Sequence, residues 1–138
     1  MRPHQAYQQH QQSAMPRIDL IIALYRKAMD RLDRAGLLLA AQNPDAARSL
    51  LAETHLIVSS LSAGMVGSTD AATTNFLRLY EFVAHKLALG TIEDIAAARK
   101  VLTPLLEGFE AVRDQAVAME IQGVIPSLNR ERQIQLTV

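Results

Sequence analysis

Between Ile95 and Met119 the apolar residues Ile95, Ala98, Leu102, Leu105, Phe109, Val112, Ala116 and Met119 fall three and four positions apart throughout. Only an α-helix puts such a row on one face, and a row this regular is the seam of a helix packed among other helices. Pro104 lies inside the row and removes one backbone hydrogen bond, at a cost of about 3 kcal/mol. The apolar phase is the same on both sides of it, so the pattern predicts one helix over 92–122, kinked near Pro104, and not two.

Three further segments carry the same periodicity and supply partners for that seam. Pro16 suits a first helical turn, and Ile21, Leu24, Ala28, Leu32, Ala35 and Leu39 share a face of a helix over 16–41, with Asp30 placed four residues ahead of Arg34 on its solvated side. Asn43-Pro44 is a second start signal. It opens a helix over 44–65 with Ala47, Leu50, Thr54, Ile57 and Leu61 in one row and Leu51 and Val58 in a second row beside it. Gly64 to Asp70 breaks that helix and supplies a cap for the next, over 70–89. There Phe76, Tyr80, Val83 and Leu87 form a stripe that Leu77 and Ala84 widen. Gly90 ends it, and Thr91 with Asp94 forms a shortened capping box. Helices joined this tightly run antiparallel. The expected fold is all-α: an antiparallel up-and-down four-helix bundle over 16–123. It is flanked by a flexible, Gln-rich N-terminal arm over 1–15 and a polar C-terminal tail over 124–138, whose Ile134, Leu136 and Val138 suit a short strand or none.

The chain has 138 residues, single-domain length, and 49% of them are hydrophobic while only 4% are aromatic and none is Trp, which suits a core of Leu, Ile, Val and Ala tiling helix interfaces. Fourteen basic residues balance fourteen acidic ones, and no face gathers Lys and Arg, so no nucleic-acid partner is expected. No cysteine is present, which removes thiol nucleophiles and thiolate metal sites. The longest apolar runs, such as Leu37 to Ala41, fall far short of the ~20 residues of a membrane span, and the N-terminus lacks an apolar signal core. A cytoplasmic protein without membrane insertion is the simplest expectation.

Two constellations point towards chemistry. Glu81 and His85 stand one turn apart, but a di-metal bundle needs carboxylates on every helix and Glu-x-x-His pairs, so no cofactor is expected. Ala84-His85-Lys86-Leu87 matches the first half of the motif of histidine phosphotransfer domains, which are also four-helix bundles. Its second half fails, since Ala88 and Leu89 stand where a basic residue and glycine belong. A phosphotransfer domain using His85 is the alternative function, with Lys86 left to supply the stabilising charge. His55 reads as a half-buried bundle histidine.

Over roughly Ala6 to Ala116 the order and spacing of residues resemble the flagellar secretion chaperone family specific for flagellin. Ala6-Tyr7-Gln8 is similar to that family's arm. Pro16, Leu20-Ile21, Leu24-Tyr25, Ala28, Leu32 and Ala35 are similar to its first helix, and His55-Leu56-Ile57-Val58 with Leu61 to its second. Asn75-Phe76-Leu77, Leu79-Tyr80 and Leu87 match its third, and Leu105-Leu106 with Phe109 its fourth. Met15 stands where the family has a capping Ser, and Arg113 where it has a Trp. The extension beyond Gly123 has no counterpart.

The resemblance implies a non-catalytic export chaperone. Such a protein holds the C-terminal segment of flagellin in an apolar groove, blocks premature polymerisation and delivers the subunit to the export apparatus. The surplus stripes on the second and third helices make Ile57, Val58, Leu61, Leu77, Tyr80 and Ala84 the expected groove residues, although rows at helical spacing usually serve a core. Tyr7, the only aromatic residue of the arm, is the implied docking residue for a component of the export gate.

Overall fold

A computed structural model describes residues 15–65 and 70–125. They form an all-α helical bundle of five helices, with no strand among the described residues: α1 Arg17–Ala40, α2 Pro44–Ala63, α3 Ala71–Leu89, α4 Ile92–Ala111 and α5 Arg113–Ile121. The chain divides into two compact units. One is Ala23–Glu107; the other comprises Met1–Ile22 and Gly108–Val138. The arm over 1–14, with Tyr7, and the tail beyond Ile125 lie outside the described residues.

In the unit Ala23–Glu107, short-range polar chemistry fixes where helices begin. The Asn43 side chain accepts the Ala46 N–H at 3.4 Å, with Pro44 preset in the first turn. The Asp70 carboxylate accepts the Thr73 N–H at 2.7 Å. At the α3–α4 corner Gly90 takes φ 70°, the left-handed conformation a helix end demands, and a Cβ there would meet Leu51 Cδ1 at 3.3 Å. The next residue opens a reciprocal box: the Asp94 carboxylate accepts the Thr91 N–H and hydroxyl at 3.1 and 2.7 Å, while the Asp94 N–H donates to the Thr91 hydroxyl at 3.1 Å. Lys86 Nζ comes within 3.6 Å of the same carboxylate and lies over the Phe82 ring at 5.4 Å, so the corner carries a cation from α3 as well.

α1 is tied to each of the other three helices of this unit. Arg31 pairs with Glu53 at 2.7 Å, Asp33 with Arg99 at 3.0 Å, and the Tyr25 and Tyr80 hydroxyls share a hydrogen bond of 2.6 Å. Leu32, Val58, Val83, Ala98 and Leu102 fill the space between these ties with almost no exposure. Connections of three residues between α1 and α2 and two between α3 and α4 make those neighbours antiparallel.

The α1 row differs from its sequence expectation. Ile18, Ile22, Tyr25, Met29 and Leu32 are buried, whereas Ile21, Leu24 and Leu39 are half-exposed. Ile18 to Tyr25 is apolar at every position but Asp19, so periodicity cannot choose the phase there, and the buried partner of Tyr25 does.

The fourth seam is also corrected. Ile95, Ala98 and Leu102 are buried, but Leu105, Phe109, Ala116 and Met119 are half-buried and Val112 is 45% exposed. α4 runs through Pro104, which sits on the exposed side and sacrifices a single bond. The interruption falls instead at Val112, whose φ of −100° and ψ of 6° lie between helical and extended values. Hydrogen bonds continue past it, from Val112 N–H to the Gly108 carbonyl and from Ala116 N–H to the Val112 carbonyl, so the chain turns by one residue's dihedrals only.

In the unit of residues 15–22 and 108–125, polar side chains do much of the tying. The Arg113 guanidinium forks onto both oxygens of Asp19 at 2.9 Å each, and the Glu120 carboxylate accepts the Arg17 N–H at 2.9 Å, satisfying a free donor of the first α1 turn.

The box at Thr91 predicts two measurable effects. Thr91→Ala should lower unfolding free energy by about 1 kcal/mol, read by urea denaturation. The hydrogen bond from the Thr91 hydroxyl holds the Asp94 carboxyl below the usual range. Its stabilisation is therefore present above the ordinary carboxyl pKa of about 4 and is lost as pH falls through the lowered folded value. The melting-temperature gap between the native chain and Asp94→Asn should accordingly narrow below about pH 4.

Candidate functional site

α2 and α3 pack with their ends opposed, and their shared face carries two hollows in succession. The first, about 420 Å³, lies between the start of α2 and the end of α3 and is bordered by Ala47, Leu51, His55 and Leu87 to Gly90, with Arg48 at its edge. The second, about 550 Å³, lies between the end of α2 and the middle of α3. Val58, Leu77, Tyr80 and Ala84 line it, together with Ser59, Ser62, Ala63, Thr74, Arg78 and Glu81. Four of the six residues expected in a groove are thus brought together. The other two, Ile57 and Leu61, are each 7% exposed and do not line it. Ile57 borders a shallow pocket against α1 with Lys27, Arg31, Glu53 and Leu56.

Tyr80 belongs to both sides of this wall. Its ring is 2% exposed and stacks obliquely on Phe76 at 6.2 Å and on Tyr25 at 6.5 Å. Its hydroxyl points inward to Tyr25, and burial pushes both phenols up, so the pair is neutral at physiological pH. The floor of the hollow is therefore part of the core, while the half-exposed Leu77 and Ala84 form its wall.

The hydroxyl-bearing residues around the hollow leave it more apolar than their names suggest. Ser62 donates to the Val58 carbonyl at 3.0 Å and Thr74 to the Asp70 carbonyl at 3.1 Å, each on its own helix. What faces the hollow from these positions is mostly hydrocarbon. Charge enters only at the rim, through Arg78 and Glu81.

His85 is exposed on α3 but is not among the lining residues. Lys86, the cation a phosphorylated His85 would require, is engaged with Asp94 and Phe82. This arrangement offers the phosphotransfer reading no support. Among the described residues no three His, Asp or Glu side chains converge to hold a metal ion, and no helix is long and apolar enough to cross a membrane.

An all-α bundle with an apolar hollow along two of its helices is the class of protein that fold and site define. Residues 1–130 match the model of the flagellar protein FliS family, and the chain belongs to that family of flagellar chaperones; the match runs past Gly123, which corrects the expectation that nothing beyond it has a counterpart there. Neither a curated protein nor a solved structure offers a match.

Sequence reasoning missed Tyr25, which it placed off the α1 row, and with it the polar lock under the hollow. The signal was the aromatic pair itself: two of the chain's three tyrosines lie in helices that must share one core. Tyr25→Phe should cost about 1–3 kcal/mol, because it takes the hydrogen-bond partner from the buried Tyr80 hydroxyl. The Tyr25→Phe/Tyr80→Phe double variant should recover part of that loss, since both hydroxyls are then gone; chemical denaturation of the set measures the coupling.

Proposed function

We propose that this chain is a cytoplasmic export chaperone that seats the C-terminal segment of flagellin along the α2–α3 face, keeps it from polymerising and hands it to the export apparatus. The observation that carries the reading is the hollow of about 550 Å³ walled by Val58, Leu77, Tyr80 and Ala84, in a member of a flagellar chaperone family. A segment that polymerises by burying apolar helix faces needs a substitute face of the same pitch, and two adjoining hollows along a pair of helices offer one. α2, at 20 residues, gives that face a length of roughly 30 Å at 1.5 Å per residue, enough for several turns of a bound helix. The rigid floor and small wall residues favour insertion of side chains over mere contact.

Titration calorimetry with a peptide of flagellin's C-terminal segment tests the assignment. Binding should carry a clearly negative heat-capacity change, the mark of apolar burial coupled to folding. Ala84→Trp fills the hollow from its half-exposed wall and should weaken the peptide at least tenfold while moving stability by no more than about 0.5 kcal/mol. Equal affinity in the variant would place the segment elsewhere.

Tyr7 separates holding from delivery. As the single aromatic residue in a polar arm it is the proposed anchor for the export gate component. Tyr7→Ala should leave flagellin affinity within a few-fold but weaken capture of the loaded complex by about 2 kcal/mol, the scale of a lost aromatic hot spot. Pull-down of the loaded complex on purified gate protein reads the difference; lost flagellin binding with gate capture intact would reverse the assignment.

A further inference from the structure

The rim of the larger hollow carries two charges whose placement says something about what enters it. Arg78 and Glu81 stand at i and i+3 on α3, on the same face, and both are exposed. Several charged neighbours elsewhere find each other, Asp30 with Arg31 and Arg34, Asp45 with Arg48 and Asp33 with Arg99, while Lys27, Glu93, Lys100 and Glu107 form no ion pair among the described residues. Arg78 and Glu81 each lack an ion-pair partner among the described residues, although they are opposite in sign and one turn apart. The wall between them is apolar, because Ser62 and Thr74 donate to their own helices.

We infer that Arg78 and Glu81 form a charge clamp, selecting for this hollow an amphipathic helix that bears an acidic and a basic residue one turn apart beside its apolar row, and fixing the direction in which that helix lies. The inference rests on the flagellin reading of the hollow and adds to it the chemistry of the seated stretch. Apolar insertion alone does not distinguish the two directions, since a row of small aliphatic side chains at helical spacing presents the same ridge either way. Two opposite charges on the rim do. The occupant's acid must lie towards the start of α3, against Arg78, and its base towards the end, against Glu81. A helix parallel to α3 meets this with acid before base in its sequence, and an antiparallel helix with base before acid. The wrong direction sets like charges together on both sides, so the clamp works by penalising the misaligned state as much as by rewarding the aligned one.

The test uses the full chain and a synthetic peptide of flagellin's C-terminal segment. In the Arg78→Glu/Glu81→Arg variant both rim charges exchange places, with net charge and burial unchanged, so circular dichroism and melting temperature should match the native chain. At low salt the peptide should bind the exchanged variant about tenfold more weakly, the effect of turning two exposed attractive pairs into repulsive ones. At 1 M salt, where the screening length is about 3 Å, the gap should shrink to under twofold. A peptide with one acid and one base exchanged, three or four positions apart, should regain the loss on the exchanged variant, and the pair that does so reports the direction of the bound helix. Equal affinity of the native chain and the exchanged variant at low salt overturns the clamp, as does a loss that 1 M salt leaves intact. A native chain that fails to bind the peptide at all instead removes the flagellin reading, and the clamp with it.

Discussion

The hydrogen bond between Tyr25 and Tyr80, 2.6 Å long and wholly inside the unit Ala23–Glu107, is the contact on which the candidate site rests. Two phenols are an expensive choice for a helical core, since each hydroxyl must find a partner or forfeit its hydration. Pairing them answers both demands at once. It also fixes the rotation of α1 against α3, because a hydrogen bond tolerates far less sliding than a Leu–Leu contact. With that rotation set, Phe76 and Tyr80 stack, Val83 and Leu87 point inward, and Leu77 and Ala84 are left facing the hollow.

A surface that received apolar side chains, as proposed for the α2–α3 face, would have to stay exposed without collapsing, and the described residues suit that demand. Small wall residues, Ala63 and Ala84, leave volume that larger ones would close. The large residues at the floor are held from behind: Val58 is 2% exposed and Tyr80 is locked to Tyr25. Serine and threonine keep the wall from being a plain greasy patch in water, yet spend their hydrogens on their own helices.

How far the sequence discloses this depends on the kind of signal. Caps are local, so Asn43, Asp70 and the Thr91–Asp94 box are readable from two to four residues each, and the structure shows all three bonded as such. The rows of α2 and α3 are readable too, because polar residues bound them. The α1 phase is not, since Ile18 to Tyr25 offers apolar residues on every side. Periodicity also says which residues share a face but not what covers it: Leu102 and Phe109 belong to one regular row, yet the first is fully buried and the second half-exposed. Nor does any residue type announce the interruption at Val112. The charges at the rim are the hardest to read, because Arg78 and Glu81 look in sequence like any solvated helix face; only their position beside the hollow sets them apart.

Arg113 shows how a departure from a resembled pattern can keep a tie while changing its physics. An indole there would hold its surroundings by buried area, which salt does not weaken. The guanidinium instead forks onto Asp19 at 2.9 Å to each oxygen, a directional contact whose side chains remain 42% and 29% exposed. Such a pair is worth little in free energy when solvated, so it positions these residues more than it stabilises them. The half-buried Phe109, Ala116 and Met119 nearby fit that account, for they border an apolar cavity of about 390 Å³ with Ile18 and Ile21, so apolar packing in this unit is incomplete. The pair thus sets geometry more than it supplies packing, and because it is solvated, raising the ionic strength should cost this stretch only a few tenths of a kcal/mol, about the scale of an exposed ion pair.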